Sequence, residues 1–383
     1  MDFTWSNEQI AFRKEVVSFA QQTLNVDVVR RDRDEVFARD LWQKCADFGI
    51  QGLSVPASYG GRDEEVDILT SMLAMEGLGY GCIDNGLAFG LNAQMWTVQL
   101  PIVQFGTDEQ KQKFLPPFVK GMAIGAHALT ESTAGSDVFS LQMTAKKGDG
   151  GYILNGQKRL VTFAPIADVT LVMANVNPSK GKWGVTAFLV EQGTPGLSAS
   201  PVQSKMGLRT IPFGELSFKD CFVPEANRLG GEGAGFSIMN HSLEYERCCI
   251  LASQLGAMER QLEDTIEFAR KREQFGQPIS KFQSVSNRIV EMKLRLETSR
   301  LLLYKVAWLK KMDRPAMMEA AMLKLQLSEN FISSSLDAIR TYGRNGYLPE
   351  FTVERDLRDA VGGVLYAGTS DIQRNIIARL LGL

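Results

Sequence analysis

The chain changes character twice along its length, and this order constrains its fold most strongly. Residues 1–125 and 231–383 carry apolar side chains at helical spacing, whereas residues 126–230 hold short runs rich in β-branched and aromatic residues. The sequence therefore predicts an N-terminal helical domain, a middle β domain and a C-terminal helical domain over these ranges. Because helices and strands are segregated, the predicted class is α+β. A Rossmann fold is disfavoured, since no GxGxxG follows a predicted strand.

Local signals refine this outline. Ser6 and Thr107 each precede an amphipathic run and are predicted helix N-caps. Asn155-Gly156 is typical of a two-residue hairpin turn. Long helices are predicted over 236–271, 283–312 and 315–342.

Charge and composition exclude several classes of function. The net charge of −2 over 383 residues gives no basic field for nucleic acid or an anionic membrane. Two histidines and five scattered cysteines without CxxC spacing predict no metal site, no disulfide framework and a cytoplasmic location. No secretory signal is visible at the N-terminus, and no run of about 18 apolar residues predicts a membrane span.

Three segments carry candidate binding residues, each with two open interpretations. Residues 130–137 combine hydroxyls with a glycine and form either a capped turn or a backbone cradle for a polar ligand. Arg272 before Gly276, and Arg344 in a second glycine turn, either complement helix dipoles or bind a phosphate. None of these segments is specific alone.

Taken in order along the chain, the motifs resemble the acyl-CoA dehydrogenase family over the entire length. The matching pieces are Thr130-Glu131 with Ala134 to Asp137, Asn155 to Lys158 with Val161-Thr162, Arg272 with Phe275-Gly276 and Phe282-Gln283, Tyr342-Gly343 with Asn345-Gly346, and Gly368 to Ser370 with Gln373-Arg374. The resemblance implies a β-barrel-like middle domain, a four-helix C-terminal domain, bound FAD and a homotetramer.

The resemblance also implies roles for individual residues. It sets the flavin and its ribityl chain against Leu129, Thr130 and Ser136, with Val161 and Thr162 beside the isoalloxazine. The remaining cofactor contacts that it implies, some of them reaching a neighbouring subunit's FAD, are Arg272, Gln283, Arg340, Gly343, Arg344, Thr369 and Asp371. The implied substrate contacts are Ser136, Tyr245, Arg247, Ala367 and Gly368.

The catalytic base is the conspicuous departure. Many family members carry a glutamate where this chain has Ala367, but the backbone N–H at that position survives as a donor for the thioester carbonyl. Members similar to isovaleryl-CoA dehydrogenase carry the glutamate on a helix, and counting back from Leu255 aligns it with Glu246. Glu244 is the runner-up, roughly 200° around the helix. By residue type alone, Glu246 is also a glutamate that favours a helix N-terminus.

Segments 164–168, 258–263, 282–288, 292–297 and 376–379 resemble the prolyl-carrier-protein dehydrogenase and oxidase subgroup of the anatoxin and pyrrole pathways. The implied substrate is an L-prolyl thioester on an acyl or peptidyl carrier protein, oxidised to a pyrroline or, after a second oxidation, a pyrrole. The alternatives are a short-chain acyl-CoA, another polyketide carrier-bound acyl group, or a base-less FAD-binding partner protein. Leu160, where an aromatic residue is usual, suggests an oxidase.

Overall fold

A computed structural model describes residues 4–138 and 140–383. The N-terminal domain holds helices α1 (Asn7–Thr23), α2 (Val28–Asp34), α3 (Arg39–Phe48), α4 (Ile68–Gly81), α5 (Asn85–Gln94), α6 (Leu100–Phe105) and α7 (Asp108–Val119). Ser6 and Thr107 cap α1 and α7 through complete capping boxes, which confirms both predictions. A π-helical turn, Met95–Gln99, joins α5 to α6.

The middle domain is one mixed sheet. Its strands are β1 (Gly125–Ala128), β2 (Thr144–Gly148), β3 (Gly151–Thr162), β4 (Val169–Asn175), β5 (Val185–Glu191), β6 (Leu197–Ala199), β7 (Phe213–Pro224) and β8 (Arg228–Leu229). The strand order is β6-β7-β3-β2-β4-β5-β8, and β1 lies parallel to β4. Strands β4 and β5 are buried along nearly their whole length because helices cover them.

The hairpin prediction at Asn155-Gly156 is wrong. Both residues lie inside β3, at an irregularity in its pairing with β7. The Asn155 side chain exchanges hydrogen bonds with Asp220 of β7, donating to its carboxylate at 3.1 Å and accepting from its N–H at 2.8 Å. Glycine at 156 is required because its φ is 146° and an added Cβ would lie 2.9 Å from Met143. The dipeptide therefore marks a bulge.

The C-terminal domain consists of α8 (Gly235–Cys249), α9 (Ala252–Lys271), α10 (Gln283–Lys311), α11 (Met317–Tyr342), α12 (Thr352–Gly363) and α13 (Ser370–Leu380). A small hairpin, β9 (Glu273–Gln274) with β10 (Gln277–Pro278), follows α9. The single helix predicted over 236–271 is divided at Ile250 and Leu251 into α8 and α9. Within the described residues, no helix is long and apolar enough to cross a membrane.

Helices α4 and α9 cross at backbone contact. A Cβ added to Gly79 would lie 1.8 Å from the carbonyl oxygen of Ser253, and one added to Gly256 would lie 1.9 Å from that of Glu76. Glycine alone permits this approach. The crossing fixes the start of α9, and with it the end of α8, against the N-terminal domain.

A buried polar network ties all three domains together. Asp84 pairs with Arg31 at 2.5 Å and accepts from the Thr210 hydroxyl at 2.6 Å. Asp359 of α12 accepts from the backbone N–H of Leu208 at 2.5 Å and from the Asn85 amide at 3.1 Å. Because each of these groups is buried and partnered, separating the domains would leave charges without compensation.

Candidate active site

The segment after β1 is held by a buried ion pair. Glu131 and Lys158 lie 2.7 Å apart, and their side chains are 5% and 0% exposed. Lys158 also donates to the Leu129 carbonyl at 3.0 Å, and Glu131 accepts from the N–H groups of Gln142 and Met143. Burial lowers the pKa of Lys158 to about 8, and Glu131 opposes that shift. The polar turn at 130–137 is therefore fastened to the sheet rather than being a free surface loop.

Val161 and Thr162 lie beside this turn. The Thr130 carbonyl accepts from the N–H of Arg159, which brings the turn against the end of β3. Leu160 and Phe163, on either side, have φ values of 57° and 68°, so the backbone turns sharply at both ends of the pair. The structure thus brings Leu129 and Thr130 close to Val161 and Thr162. Ser136 is exposed on the same turn.

Phe163 has a packing role. Its ring lies 5.3 Å from that of Trp42 and 5.8 Å from that of Phe37, and only 1% of the residue is exposed. The ring therefore anchors the end of β3 in the N-terminal domain.

The loop between α12 and α13 can offer a backbone N–H as a hydrogen-bond donor to an oxyanion. Ala367 and Gly368 both have positive φ values, 55° and 84°, and Gln373 donates to both of their carbonyls at 3.0 Å. The Thr369 hydroxyl caps α13 through the N–H of Ile372. Among the described residues, the Ala367 N–H has no hydrogen-bond acceptor. The loop is thus rigid and presents a free backbone donor.

Glu246 lies on α8, and its carboxylate has no hydrogen bond or ion pair among the described residues. Burial raises its pKa to about 7, and the charges of Arg247 and Lys324 limit the rise. Its charge in turn contributes, after burial, to the raised pKa of Tyr366, so the carboxylate lies near the residue that precedes Ala367. An unpaired carboxylate with such a pKa is suited to accepting a proton near neutral pH.

The Glu244 carboxylate is engaged in contacts with α10 and α11. It pairs with Lys310 at 2.7 Å and accepts from the Ala316 N–H at 3.0 Å, at the turn between α10 and α11. Tyr245 packs in the same cluster, with the Lys310 ammonium 4.6 Å from its ring and His241 5.0 Å away. These contacts are structural, and they give Tyr245 no described contact with Ala367 or Gly368.

Two buried cations lie near Glu246. Arg247 is 9% exposed and Lys324 of α11 is fully buried. In the part of the chain that the structure describes, neither the Arg247 Nε nor the Lys324 Nζ has a hydrogen-bond partner. Burial lowers the pKa of Lys324 to about 8, and Glu246 opposes that shift. Sequence reasoning missed Lys324, although a lysine flanked on one helical face by Ala320, Leu327 and Phe331 is a visible anomaly.

A second group of predicted residues gathers at the far ends of the C-terminal helices. Arg272 follows α9 and Gln283 begins α10, on either side of the β9-β10 hairpin. The turn after α11 lies against them, because Tyr342 stacks on Phe268 at 4.1 Å. Arg340 lies in the last turn of α11, and Gly343 and Arg344 lie in the turn that follows it.

These turns are separate from the region of Leu129, Thr130, Ser136, Val161 and Thr162, which we call the cradle. Among the described residues, no hydrogen bond, ion pair or ring contact joins Arg272, Gln283 or Arg344 to the 129–162 region. Asp371, at the start of α13, pairs with Arg374 at 3.0 Å. The predicted cofactor contacts therefore form two sets within one chain.

The cradle's donor set fits a flavin. His127, two residues before Leu129, has a buried Nε2 that finds no partner among the described residues, and burial lowers its pKa to about 4, so the ring is neutral. The Thr162 side chain adds a polar group next to apolar Val161. In the part of the chain that is described, no group of acidic, histidine or cysteine side chains is arranged to hold a metal ion.

Known proteins match this architecture throughout. Sequence models of the acyl-CoA dehydrogenase N-terminal, middle and C-terminal domains match residues 6–122, 126–221 and 233–382. The L-prolyl-[peptidyl-carrier protein] dehydrogenases of Serratia sp. and Pseudomonas fluorescens are 43% and 42% identical, each over 100% of this chain and 99% and 100% of their own lengths.

Solved structures agree with these relatives. The prolyl acyl carrier protein oxidase AnaB superimposes with a TM-score of 0.97 at 51% identity, covering 99% of this chain and 100% of its own. PigA with FAD and proline superimposes with a TM-score of 0.97 at 42% identity, covering all of both chains. The chain belongs to the acyl-CoA dehydrogenase family.

Proposed function

We propose that this protein is an FAD-dependent enzyme that oxidises an L-prolyl thioester carried by a peptidyl or acyl carrier protein. The two curated relatives named above are L-prolyl-carrier dehydrogenases along their full lengths, and PigA has been solved with FAD and proline. The observation that carries the proposal is the unpaired Glu246 carboxylate near a loop whose backbone donor at Ala367 is free.

The proposed cofactor site is the cradle of Leu129, Thr130, Ser136, Val161 and Thr162. Bound there, FAD supplies the two-electron acceptor for the hydride that leaves the β atom of the acyl group. Lys158 and Glu131 hold the cradle in shape without being exposed to it. A Lys158→Met variant should therefore lose FAD, as measured by a fall in the ratio of 450 nm to 280 nm absorbance of the purified protein relative to the wild type.

Glu246 is the proposed base. Its carboxylate removes the proton from the α carbon as the C–H bond to the β carbon breaks, leaving an α,β-double bond in the thioester and a protonated Glu246. The Ala367 N–H donates to the thioester carbonyl oxygen, where negative charge develops. Arg247 and Lys324 favour the charged form of Glu246, so that it is ready to accept the proton.

Anaerobic mixing tests the substrate. Loss of flavin absorbance with prolyl-carrier protein, and none with butyryl-CoA or with other acyl groups on the same carrier, is the expected result. Flavin bleaching by acyl-CoA alone would identify a short-chain acyl-CoA as the substrate. Bleaching by another carrier-bound acyl group would identify a polyketide-type carrier thioester as the substrate. A protein that binds FAD but is inert to every thioester would be a binding partner without catalysis.

Oxygen is the proposed electron acceptor. Leu160 offers less bulk beside Val161 than the aromatic residue usual at this position, and AnaB, the solved relative with 51% identity, is called an oxidase. One hydrogen peroxide released per double bond formed, without any added acceptor, is expected. Strict dependence on an electron-transferring protein would contradict this proposal.

A homotetramer in the cytoplasm is also proposed. The far set of predicted cofactor residues is separated from the cradle in one chain, and Phe275 and Tyr347 beside it are 94% and 86% exposed. All five cysteines are free and buried, as expected in a reducing compartment. Light scattering should give four times the 42.4 kDa chain mass, and Arg272→Ala should lower FAD retention; a stable monomer that retains FAD would contradict the assembly.

A further inference from the structure

A small pocket lies between the end of α8 and α12. Ile250, which follows Glu246 by one helical turn and caps the end of α8, lines it, as do Phe89, Phe331 and Tyr366. The rings of Phe89 and Tyr366 lie 4.9 Å apart. Because Tyr366 directly precedes Ala367, the pocket lies where the acyl group of a substrate held by Glu246 and Ala367 would be.

The pocket combines apolar walls with a few polar groups. Ser253, Gln254 and Asp359 all line it, and each is at least nine-tenths buried. A straight alkyl chain would meet these groups without offering any of them a hydrogen bond.

Most of these polar groups are already satisfied. The two carboxylate oxygens of Asp359 accept from the Leu208 N–H and the Asn85 amide. The Ser253 hydroxyl accepts from Asn92 at 3.1 Å. Asp359 and Ser253 therefore hold the walls of the pocket together.

Gln254 differs from the others. Its Nε2 donates to the Tyr366 hydroxyl at 2.6 Å, which fixes the plane of the amide. Its Oε1 is buried and has no hydrogen-bond donor among the described residues. Gly363 leaves space for the amide, because an added Cβ would lie 3.2 Å from Nε2 and 3.3 Å from Oε1. The result is an oriented acceptor in the pocket wall.

We propose that Gln254 Oε1 accepts a hydrogen bond from the ring N–H of the substrate, so that Gln254 selects a cyclic secondary amine over a carbocyclic or alkyl acyl group. The inference rests on the proposed function and adds the residue that determines its specificity. The aromatic rings of Phe89 and Tyr366 enclose the methylene groups of the substrate ring. The Gln254 amide binds the single polar atom of that ring. An acyl group without an N–H leaves Oε1 buried and unpaired, which disfavours its binding.

The test compares two thioesters on the same carrier protein, L-prolyl and cyclopentanecarbonyl, which share ring size and differ in a secondary amine, protonated near neutral pH, against CH₂. Flavin reduction is followed anaerobically in the FAD-loaded wild type, Gln254→Met and Gln254→Glu. The wild type should prefer the prolyl thioester in kcat/KM. In Gln254→Met this preference should fall by about 10- to 100-fold, mainly through KM, because no acceptor remains. Gln254→Glu, which keeps an acceptor, should retain the preference within about threefold.

The outcomes separate the two proposals. A wild type that does not reduce its flavin with prolyl-carrier protein removes the proposed function itself. A wild type that prefers the prolyl thioester, together with a Gln254→Met variant of unchanged preference, overturns the role of Gln254 alone. Equal loss of the preference for the prolyl thioester in Gln254→Glu and Gln254→Met would show that the amide Nε2 donor, and not Oε1, determines the specificity.

A binding measurement keeps the inference testable if Gln254→Met fails to load FAD. Calorimetry on the wild-type holoenzyme compares L-prolinamide with cyclopentanecarboxamide. Prolinamide should bind at least about tenfold more tightly, since only it supplies a ring N–H to Oε1. Equal affinity for the two amides would overturn the inference.

Discussion

The loop at Ala367 and the helix α8 contribute to the same candidate site in different ways. The loop offers a backbone N–H in a turn that Gln373 and Thr369 hold rigid, and it lacks an acid. Helix α8 offers the acid, Glu246, in an environment that raises its pKa to about 7. A backbone donor depends on the path of the chain and survives any side-chain change, whereas a carboxylate can come from any element that reaches the same space. The donor is thus fixed by the fold, and the base can move between elements.

Removing the acid from α8 should have the largest effect. Glu246→Gln keeps the size of the side chain but cannot accept the proton, so the rate of flavin reduction by the substrate should fall about 10²- to 10⁴-fold. Stopped-flow absorbance gives the rate, and an unchanged flavin spectrum shows that the cofactor site is intact. A variant that binds FAD and turns over normally would eliminate Glu246 as the base.

Moving the acid to the loop should recover part of this loss. Adding Ala367→Glu to Glu246→Gln places a carboxylate where many family members carry theirs, and the backbone at 367 already adopts the required positive φ. We expect at least about a tenfold recovery over the single variant, because the base regains a favourable position. Ala367→Gln in the same background is the matched control, and equal rates for the two double variants would show that the loop cannot host a base here.

Lys324 should influence the pH range in which Glu246 on α8 accepts a proton. The rate of flavin reduction should rise with pH through about 7, because only the carboxylate form of Glu246 accepts a proton. Arg247 and Lys324 favour that form, and Tyr366 faces it from the loop. Lys324→Met removes one positive charge and should raise the pKa of Glu246 further, so the profile moves to higher pH and the rate at about pH 6 falls several-fold.

The matched control for Lys324 is Lys305→Met, which removes an exposed lysine paired with Glu319 at 3.3 Å. Its pH profile should be that of the wild type. Coincident profiles for the wild type and Lys324→Met, with FAD bound, would show that the buried ammonium only fills space.

The second acid of α8 should have the smallest effect on catalysis. Glu244→Gln breaks the ion pair with Lys310, whose partners are 17% and 10% exposed, and should lower the free energy of unfolding by about 1–3 kcal/mol. Turnover should stay within about twofold of the wild type. Urea denaturation and steady-state rates measure the two effects, and a collapse of turnover without loss of stability would make Glu244 the base.

Much of the fold follows from local patterns. The predicted N-caps at Ser6 and Thr107 are confirmed because a cap and its partner three residues on lie within one turn of the helix. The hairpin predicted at Asn155-Gly156 was wrong because this dipeptide occurs in bulges as well as in hairpin turns. Only the pairing of β3 with β7 distinguishes the two. The division between α8 and α9 was missed because the apolar pattern continues across Ile250 and Leu251.

The candidate site follows from the sequence only in part. Motif order and the alanine at 367 determined the family resemblance, the three-domain layout and the choice of Glu246, since residue identity and spacing are enough for these. The unpaired state of Glu246, the pairing of Glu244 with Lys310, the buried charge of Lys324 and the oriented amide of Gln254 were decided by the tertiary structure. Each depends on desolvation and on partners many residues away along the chain, and those distances exist only once the helices have packed.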